Sequence, residues 1–540
     1  LHYAYDKNQY LIAIKAKIKG NDEEKLIRKY RYNERGKLFT IVDFTDYRDK
    51  NESYVARFYE YDTLDRVSSM TYKSGTTVLE AYTYSYDKNN NVVKKTEKNS
   101  TAKEEKDHTD QTTEYTYNAL GRLTKSVVTD HKKNEEKTTT TYSYDSAGNR
   151  TKKVKGEEET AYTYNGLNQL LKAKTTKGNT VKNDISYEYD VNGNQIKETD
   201  KETGDSVENT YDVENRLSTA TVTKKKESTS GNETVSLTQE NLYNGEGQRI
   251  QKKEAGEVTN YFYEDGMVSY TTGADTGEKL IQNLSGLEDN VIYAEQKVTG
   301  TDGTASDYQD FLYTKDIQGS TSSILNKDTK GELSYEYDDF GETSIHGSSA
   351  LKNEICYTGG IYDESTGLYY LNARYYDPEN GRFLTEDTYR GEVNDPDTLH
   401  LYAYCKNNPI NYVDPSGHLA IEVAVAYMAG TYLIAWGAYY IFTNSYRWNG
   451  KTYYKYRRIK WPTIRKPKIR RSKASKKSQK ERATNIPSWA SKEKKKGENG
   501  KQYAKRSMDE HYGKGNWKRS GKQGDEYSQL KKFGDRGHKK

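Results

Sequence analysis

The 540-residue chain is 32% hydrophobic and 31% charged, with a mean hydropathy of −1.12. Such values would mark most chains as disordered, but 52 tyrosines argue for a folded β protein, because Tyr is enriched in strands and can bury its ring while its hydroxyl finds a partner. The net charge of +5 hides a split: from Thr443 to the C-terminus, 32 Lys and Arg face 8 Asp and Glu, a net of +24, leaving −19 for residues 1–442.

Two cysteines, Cys356 and Cys405, are too few for a disulfide framework. No signal peptide is visible, yet the chain opens inside a repeat-like stretch, so the sequence predicts a fragment without its true N-terminus.

From residue 1 to 355 one pattern recurs at least nine times: Tyr-x-Tyr-Asp/Asn, then a Gly, Asn or Asp three residues on, then a polar and often an apolar residue. Tyr59, Tyr61, Asp62, Asp65, Arg66 and Val67 form one copy; Tyr115, Tyr117, Asn118, Gly121, Arg122 and Leu123 form another. The second Tyr falls at 32, 61, 86, 117, 144, 164, 189, 211 and 243, a spacing of 20 to 32 residues. Tyr at i and i+2 lie on one face of a strand, and the Asx–Gly/Asn pair supplies turn bonding and a positive-φ position, so each copy predicts a hairpin. A lone hairpin is marginal in water; the copies must stack into a long antiparallel sheet that buries the Tyr face. The Lys- and Glu-rich stretches between them, such as Lys94 to Asp107, fit solvated outer strands and loops.

These residues resemble the YD repeats of Rhs, wall-associated and teneurin-like proteins. The resemblance implies an all-β fold in which the sheet winds spirally into a hollow shell around a cargo. Residues 356–417 then resemble the Rhs-repeat-associated core domain: Gly360-Ile361-Tyr362-Asp363, Ala373-Arg374-Tyr375-Tyr376-Asp377-Pro378, Gly381-Arg382-Phe383-Leu384, and Asp414-Pro415-Ser416-Gly417. In related shells an arginine and two aspartates of this segment form an intramolecular aspartyl protease that releases the C-terminal cargo; carried over by motif they are Arg374, Asp387 and Asp414. Two close carboxylates cannot both ionise, so one can act as acid while the other activates water. The alternative is that the two aspartates form turns and Arg374 is their structural partner. This chain departs from the family pattern in having His418 where a Leu is common, and in an insertion around Gly391 to Asp397.

Residues 418–484 change character again. Val423 to Tyr446 is 24 residues without a charge, within the range that spans a bilayer, and Thr443 to Lys480 holds 15 basic residues and no acidic one. Two readings stand: a segment that crosses the target's membrane, or a buried helical hairpin around Gly430 and Gly437. The basic tract, interleaved with Tyr454, Tyr456 and Trp461, also suits a phosphate backbone.

Residues 485–540 predict a small, mainly α or α+β domain resembling the toxin domains at the ends of Rhs and wall-associated proteins. A helix over roughly Glu498 to Tyr512, stopped by Gly513, presents Tyr503, Ala504, Met508 and Tyr512 on its apolar face and Arg506, Asp509, Glu510 and His511 on its polar side, with Ser507 one turn from His511 as a phosphate-holding hydroxyl. A second short helix follows near Asp525, Glu526 and Tyr527. A metal-independent ribonuclease needs a base for the ribose 2′-hydroxyl, an acid for the leaving oxygen and a cation for the phosphorane charge. His511, His538, Arg506 and Arg536 can supply these, with Asp509 or Asp535 orienting a histidine. No zinc-type spacing is present, so no cofactor is expected, while Asp/Glu pairs keep a Mg2+-dependent nuclease open.

Function classes compete on this reading. The first is a secreted, cell-wall-associated, contact-dependent antibacterial toxin whose effector cleaves RNA, tRNA included, in the target-cell cytoplasm. Its partners would be the RNA substrate, a cognate immunity protein, the target-cell membrane during passage and the producer's cell wall. The alternatives are an adhesive or structural wall protein and a membrane-acting toxin.

Overall fold

The computed structural model describes residues 1–17, 24–46, 52–228, 231–264, 266–274, 277–286, 291–298, 307–347, 351–391, 396–418, 420–423, 445–448, 451–454, 487, 489–490, 499–514, 516–518 and 521–534. They fall into two compact units, residues 1–459 and 460–540. Among the described residues of the first unit, 28 strands form one sheet, from His2–Tyr5 to Thr343–Gly347. Each strand pairs antiparallel with its neighbour in sequence, so the sheet is a single uninterrupted meander. The unit is all-β, as the repeat predicts.

Each repeat copy folds as its residues dictate. Tyr54–Tyr61 runs into Val67–Ser74 through a turn in which Asp62 Oδ1 accepts the N–H groups of Leu64 at 2.9 Å and Arg66 at 3.0 Å. Asp65 takes a positive φ of 64°, the conformation for which Gly, Asn and Asp are selected at this position. The second Tyr reaches sideways: Tyr61 Oη donates to the Leu38 carbonyl at 2.7 Å, Tyr86 to Val67 at 2.7 Å, Tyr117 to Val92 at 2.6 Å and Tyr144 to Leu123 at 2.8 Å. Each phenol thus satisfies a carbonyl at the start of a strand in the preceding hairpin. Adjacent turns are tied too, by Arg66 Nη1 to the Asp87 carbonyl at 3.0 Å, Asn149 Nδ2 to Asn168 Oδ1 at 2.9 Å, and Asn194 Nδ2 to Asn215 Oδ1 at 2.9 Å.

The sheet also winds back on itself, and polar side chains join the layers. Thr45 Oγ1 donates to the Lys327 carbonyl at 2.7 Å, Tyr72 Oη to the Lys315 carbonyl at 2.8 Å, and Asn99 Nδ2 to Ser323 Oγ at 3.0 Å. Glu80, fully buried, accepts from Thr314 at 2.5 Å and Ser322 at 2.7 Å; burial pushes its carboxyl up while these hydrogen bonds push it back. Lys95 and Glu97, expected on a solvated stretch, instead pair at 2.6 Å and line a polar cavity of about 310 Å3 together with Asp316, Asp338 and Asp339. Winding back turns what would be an outer face of the meander inward.

Residues 356–417 pack into this unit and share its core. Four short strands, Ile361–Asp363, Leu368–Leu371, Arg374–Asp377 and Arg382–Phe383, form a second sheet. Tyr369, Tyr376 and Tyr404, all fully buried, anchor it, with the Tyr376 and Tyr404 rings stacked 4.1 Å apart. A buried ion-pair network joins it to the main sheet. Arg249 contacts Asp363 at 2.5 Å with both side chains fully buried, Lys252 contacts Asp363 at 3.2 Å, and Gln239 Nε2 donates to Asp363 Oδ2 at 2.8 Å.

Glu198, on the strand Gln195–Asp200, has its carboxyl pushed up to about 8 by burial and by the carboxylates of Asp377 and Glu379. An acid raised in this way stabilises the fold below its unfolded value of about 4.3, and that contribution is lost as pH rises through about 8. Glu198→Gln is therefore expected to raise the thermal midpoint at pH 9 and leave it nearly unchanged at pH 4; equal shifts at both values would contradict this.

Among its described residues the second unit has two helices, α1 (Gly500–Tyr512) and α2 (Gly521–Gly534). Asn499 caps α1 by accepting the Gln502 N–H at 3.0 Å, while Gln502 Oε1 accepts the Asn499 N–H at 2.8 Å. Gly513 ends α1 at φ 84°. Tyr503, Ala504, Met508, Tyr527 and Leu530 form the core between the helices.

Among the described residues no helix is long and apolar enough to cross a membrane. Residues 424–444, the middle of the uncharged segment, and most of the basic tract lie outside the described residues. At the edges of that segment, Val423 is buried in the first unit's core, and Ser445–Trp448 pairs with Lys451–Tyr454 as a hairpin.

Candidate functional site

Arg374, Asp387 and Asp414 lie 13 to 40 residues apart in sequence, and the fold brings all three together. Arg374 opens the short strand Arg374–Asp377. Its Nη2 lies 2.7 Å from Asp387 Oδ2 and 3.9 Å from Asp414 Oδ2, and all three side chains are buried, at 5%, 9% and 4% exposure. The guanidinium lies over the Phe383 ring, with Cζ 3.5 Å from its centroid. Its Nη1 donates to the Leu401 carbonyl at 2.9 Å, and its Nε donates to the carbonyl of Gly417. Burial pushes the guanidinium below its ordinary value while the two carboxylates push back. One arginine therefore holds both acids and a backbone carbonyl in a site screened from water, where charge acts strongly.

The backbone after Asp414 is shaped to reach that arginine. Gly417 has a φ of 72°, and a Cβ there would lie 2.4 Å from the Leu371 carbonyl oxygen and 3.1 Å from Arg374 N, so the chain passes at a distance only glycine allows. Asp414 Oδ1 accepts Ser416 Oγ at 3.1 Å and the His418 N–H at 3.0 Å. Asp387 Oδ1 accepts the Tyr389 N–H at 2.8 Å and lies 2.7 Å from His418 Nδ1. The His418 side chain has no counterpart in the family pattern, and its standing where that pattern carries a leucine is the mark of this contact in the sequence.

In the second unit His511 is exposed, and its ring stacks on Trp489 at 3.9 Å with an interplanar angle of 5°. Arg506 Nη1 pairs with Glu510 at 3.1 Å, and Asp509 Oδ1 accepts Trp517 Nε1 at 2.7 Å. Asp509 is thus engaged by an indole in the structure. Ser507 is only 3% exposed on the inward face of α1, so it does not offer the phosphate-holding hydroxyl that the sequence suggested. Asp535, Arg536 and His538 lie outside the described residues.

Residues 1–410 match the teneurin YD-shell family. The chain is 35% identical over 270 residues to the tRNA3(Ser)-specific nuclease WapA of Bacillus spizizenii, covering 47% of this chain and 10% of that protein. It is 34% identical over 262 residues to the tRNA nuclease WapA of Bacillus subtilis, with the same coverage of each. It spans about a tenth of the length of these relatives. Among solved structures, a TcdB2-TccC3 crystal structure aligns with 77% of this chain and 27% of that one, at 15% identity and a TM-score of 0.41. With its tyrosine repeat folded as a continuous meander and three quarters of its length matched, the chain belongs to the teneurin YD-shell family of Rhs/YD-repeat proteins.

Proposed function

We propose that the chain is part of a secreted, contact-dependent antibacterial toxin in which a self-cleaving YD shell carries and delivers a C-terminal ribonuclease. The observation that carries the reading is Arg374 gripping Asp387, Asp414 and the Gly417 carbonyl at once. In the proposed reaction Asp387 takes a proton from water, and the water oxygen attacks the carbonyl carbon of a peptide bond shortly after Gly417. Arg374 offsets the charge that develops on the carbonyl oxygen, and protonated Asp414 passes its proton to the leaving nitrogen as the C–N bond breaks. One new carboxylate and one new amine result. The purified chain is expected to run as two bands on a denaturing gel and as one species on a sizing column; a single band would remove self-cleavage from the proposal.

The effector reading draws on the names of the relatives and on the basic charge of the C-terminal part. It places His511 as the proton-exchanging group, since imidazoles exchange protons near neutrality. Arg506 and Arg536 supply cations, and Asp509, Asp535 and His538 complete the candidate set. RNA would be the substrate, a cognate immunity protein the neutralising partner, and the producer's cell wall and the target-cell membrane the surfaces met on the way to the target cytoplasm. Expression of residues 460–540 in a bacterium is expected to stop growth with fragmented RNA, and His511→Ala to abolish both effects. Intact RNA in arrested cells would overturn the nuclease reading. Cleavage that survives His511→Ala but stops with chelator would move the chemistry to a magnesium site around Asp509, Asp525 and Glu526.

A further inference from the structure

Self-cleavage requires Asp387 or Asp414 to hold a water molecule and take its proton. Yet Oδ1 of Asp387 already has two partners. Its Oδ1 receives the Tyr389 N–H at 2.8 Å and lies 2.7 Å from His418 Nδ1, while its Oδ2 faces Arg374 at 2.7 Å. The backbone N–H is fixed by the local turn and the guanidinium is locked between Phe383, Leu401 and Gly417. The imidazole is the partner free to leave: its side chain keeps 21% exposure against 9% for Asp387 and 5% for Arg374.

We propose that His418 is a pH-dependent latch on Asp387, a positioning residue whose imidazole occupies the place of the lytic water until it swings away. The inference rests on the self-cleavage reading and adds its control. The charged and titratable groups around the imidazole are Asp387, Asp414, which receives the N–H of His418 at 3.0 Å, and Arg374, which faces both carboxylates. Cys405, near Asp414, is a neutral thiol because burial raises it. Imidazoles change charge between pH 5 and 8. An imidazolium would bind the Asp387 carboxylate by a charge-assisted bond, roughly twice as strong as a neutral one. The latch is therefore tightest in acid and loosens as pH rises.

The test is the self-cleavage rate of the full chain made by cell-free translation and followed on denaturing gels at pH 5.5, 6.5 and 7.5. The wild-type rate should rise across this range. His418→Leu, which cannot bond Asp387, should cleave about tenfold faster at pH 5.5 and show no rise with pH. His418→Gln, which keeps a donor without a titrating charge, should cleave slowly at every pH. His418→Leu cleaving at the wild-type rate with the wild-type profile, or more slowly than wild type, would overturn the latch while leaving self-cleavage standing. If neither wild type nor His418→Leu is cut at any pH, self-cleavage itself falls and the latch with it.

Discussion

Asp414→Asn is expected to leave the chain folded and uncut. The side chain is 4% exposed and accepts Ser416 Oγ and the His418 N–H on a single oxygen. An asparagine carbonyl has the same shape and can accept the same two bonds, so little stability should be lost. It cannot give a proton to a leaving nitrogen, and general-acid catalysis of this kind is worth roughly a hundredfold to ten-thousandfold in rate. The two-band pattern of the wild type should therefore collapse to one band over hours, with the circular dichroism spectrum and thermal midpoint unchanged. Asp387→Asn should also be uncut, since an amide cannot take a proton from water, but with a lower midpoint, because it removes the carboxylate paired with buried Arg374. Arg374→Lys should also be uncut, because an ammonium lacks the planar fork that engages Asp387, Leu401 and Gly417 together. Undiminished cutting in Asp414→Asn would exclude it from the chemistry and leave it a turn former.

A second large effect is expected at Arg249. Arg249→Met removes the cation that meets Asp363, Tyr375 Oη at 2.9 Å and Tyr261 Oη at 3.3 Å, in a place where Arg249 and Asp363 are fully buried. Breaking one side of such a pair leaves an uncompensated buried charge and costs about 3–5 kcal/mol, read as a lower urea midpoint for the first unit. Replacing both residues by apolar ones of similar volume should recover part of the loss. The pH dependence has a definite sign. Burial alone would raise the Asp363 carboxyl, but Arg249 and Lys252 overcome it and hold it at about 2. The network's contribution is therefore present above the unfolded value of about 3.9 and is lost as pH falls through about 2. A midpoint that falls by the same amount in Arg249→Met at pH 2 and pH 6 would show that packing, and not the ion pair, holds this junction.

The repeat was legible because its chemistry is local. Tyr59 and Tyr61 two residues apart, Asp62 folding back on Leu64 and Arg66, and a positive φ at Asp65 all follow from eight consecutive residues. The winding of the sheet was legible only through the family resemblance, since the contacts between layers are made by residues that read as surface. Glu80 meets Thr314 and Ser322 across more than 230 positions, and Lys95 with Glu97 looked like a solvated charge run. Arg374, Asp387 and Asp414 could be named through a family motif, but the close passage at Gly417 that puts its carbonyl on Arg374 depends on tertiary geometry. In α1 the polar side was placed by periodicity, whereas the Trp489 ring that covers His511 comes from before the helix and leaves no mark in the helical pattern. Ser507 could have been placed inward: it lies four residues after Tyr503 and three after Ala504, on the same stripe.

The tyrosine and turn bonds that link neighbouring hairpins have a consequence for how such proteins change over generations. Tyr61 reaches only as far as Leu38, Tyr86 only to Val67, and Asn194 only to the turn at Asn215. A duplicated or deleted hairpin along an uninterrupted stretch would find the same donor and acceptor waiting on either side, so copy number can drift by whole units with few compensating substitutions. The irregular spacing of 20 to 32 residues fits this tolerance. Positions such as Glu80, Arg249 and Lys315 have no such freedom, because their partners lie hundreds of positions or a whole layer away and an inserted hairpin would carry them out of step. Gain and loss of repeats should accordingly concentrate between these cross-layer ties, and an engineered insertion beside Thr160 should be borne far better than one beside Tyr72.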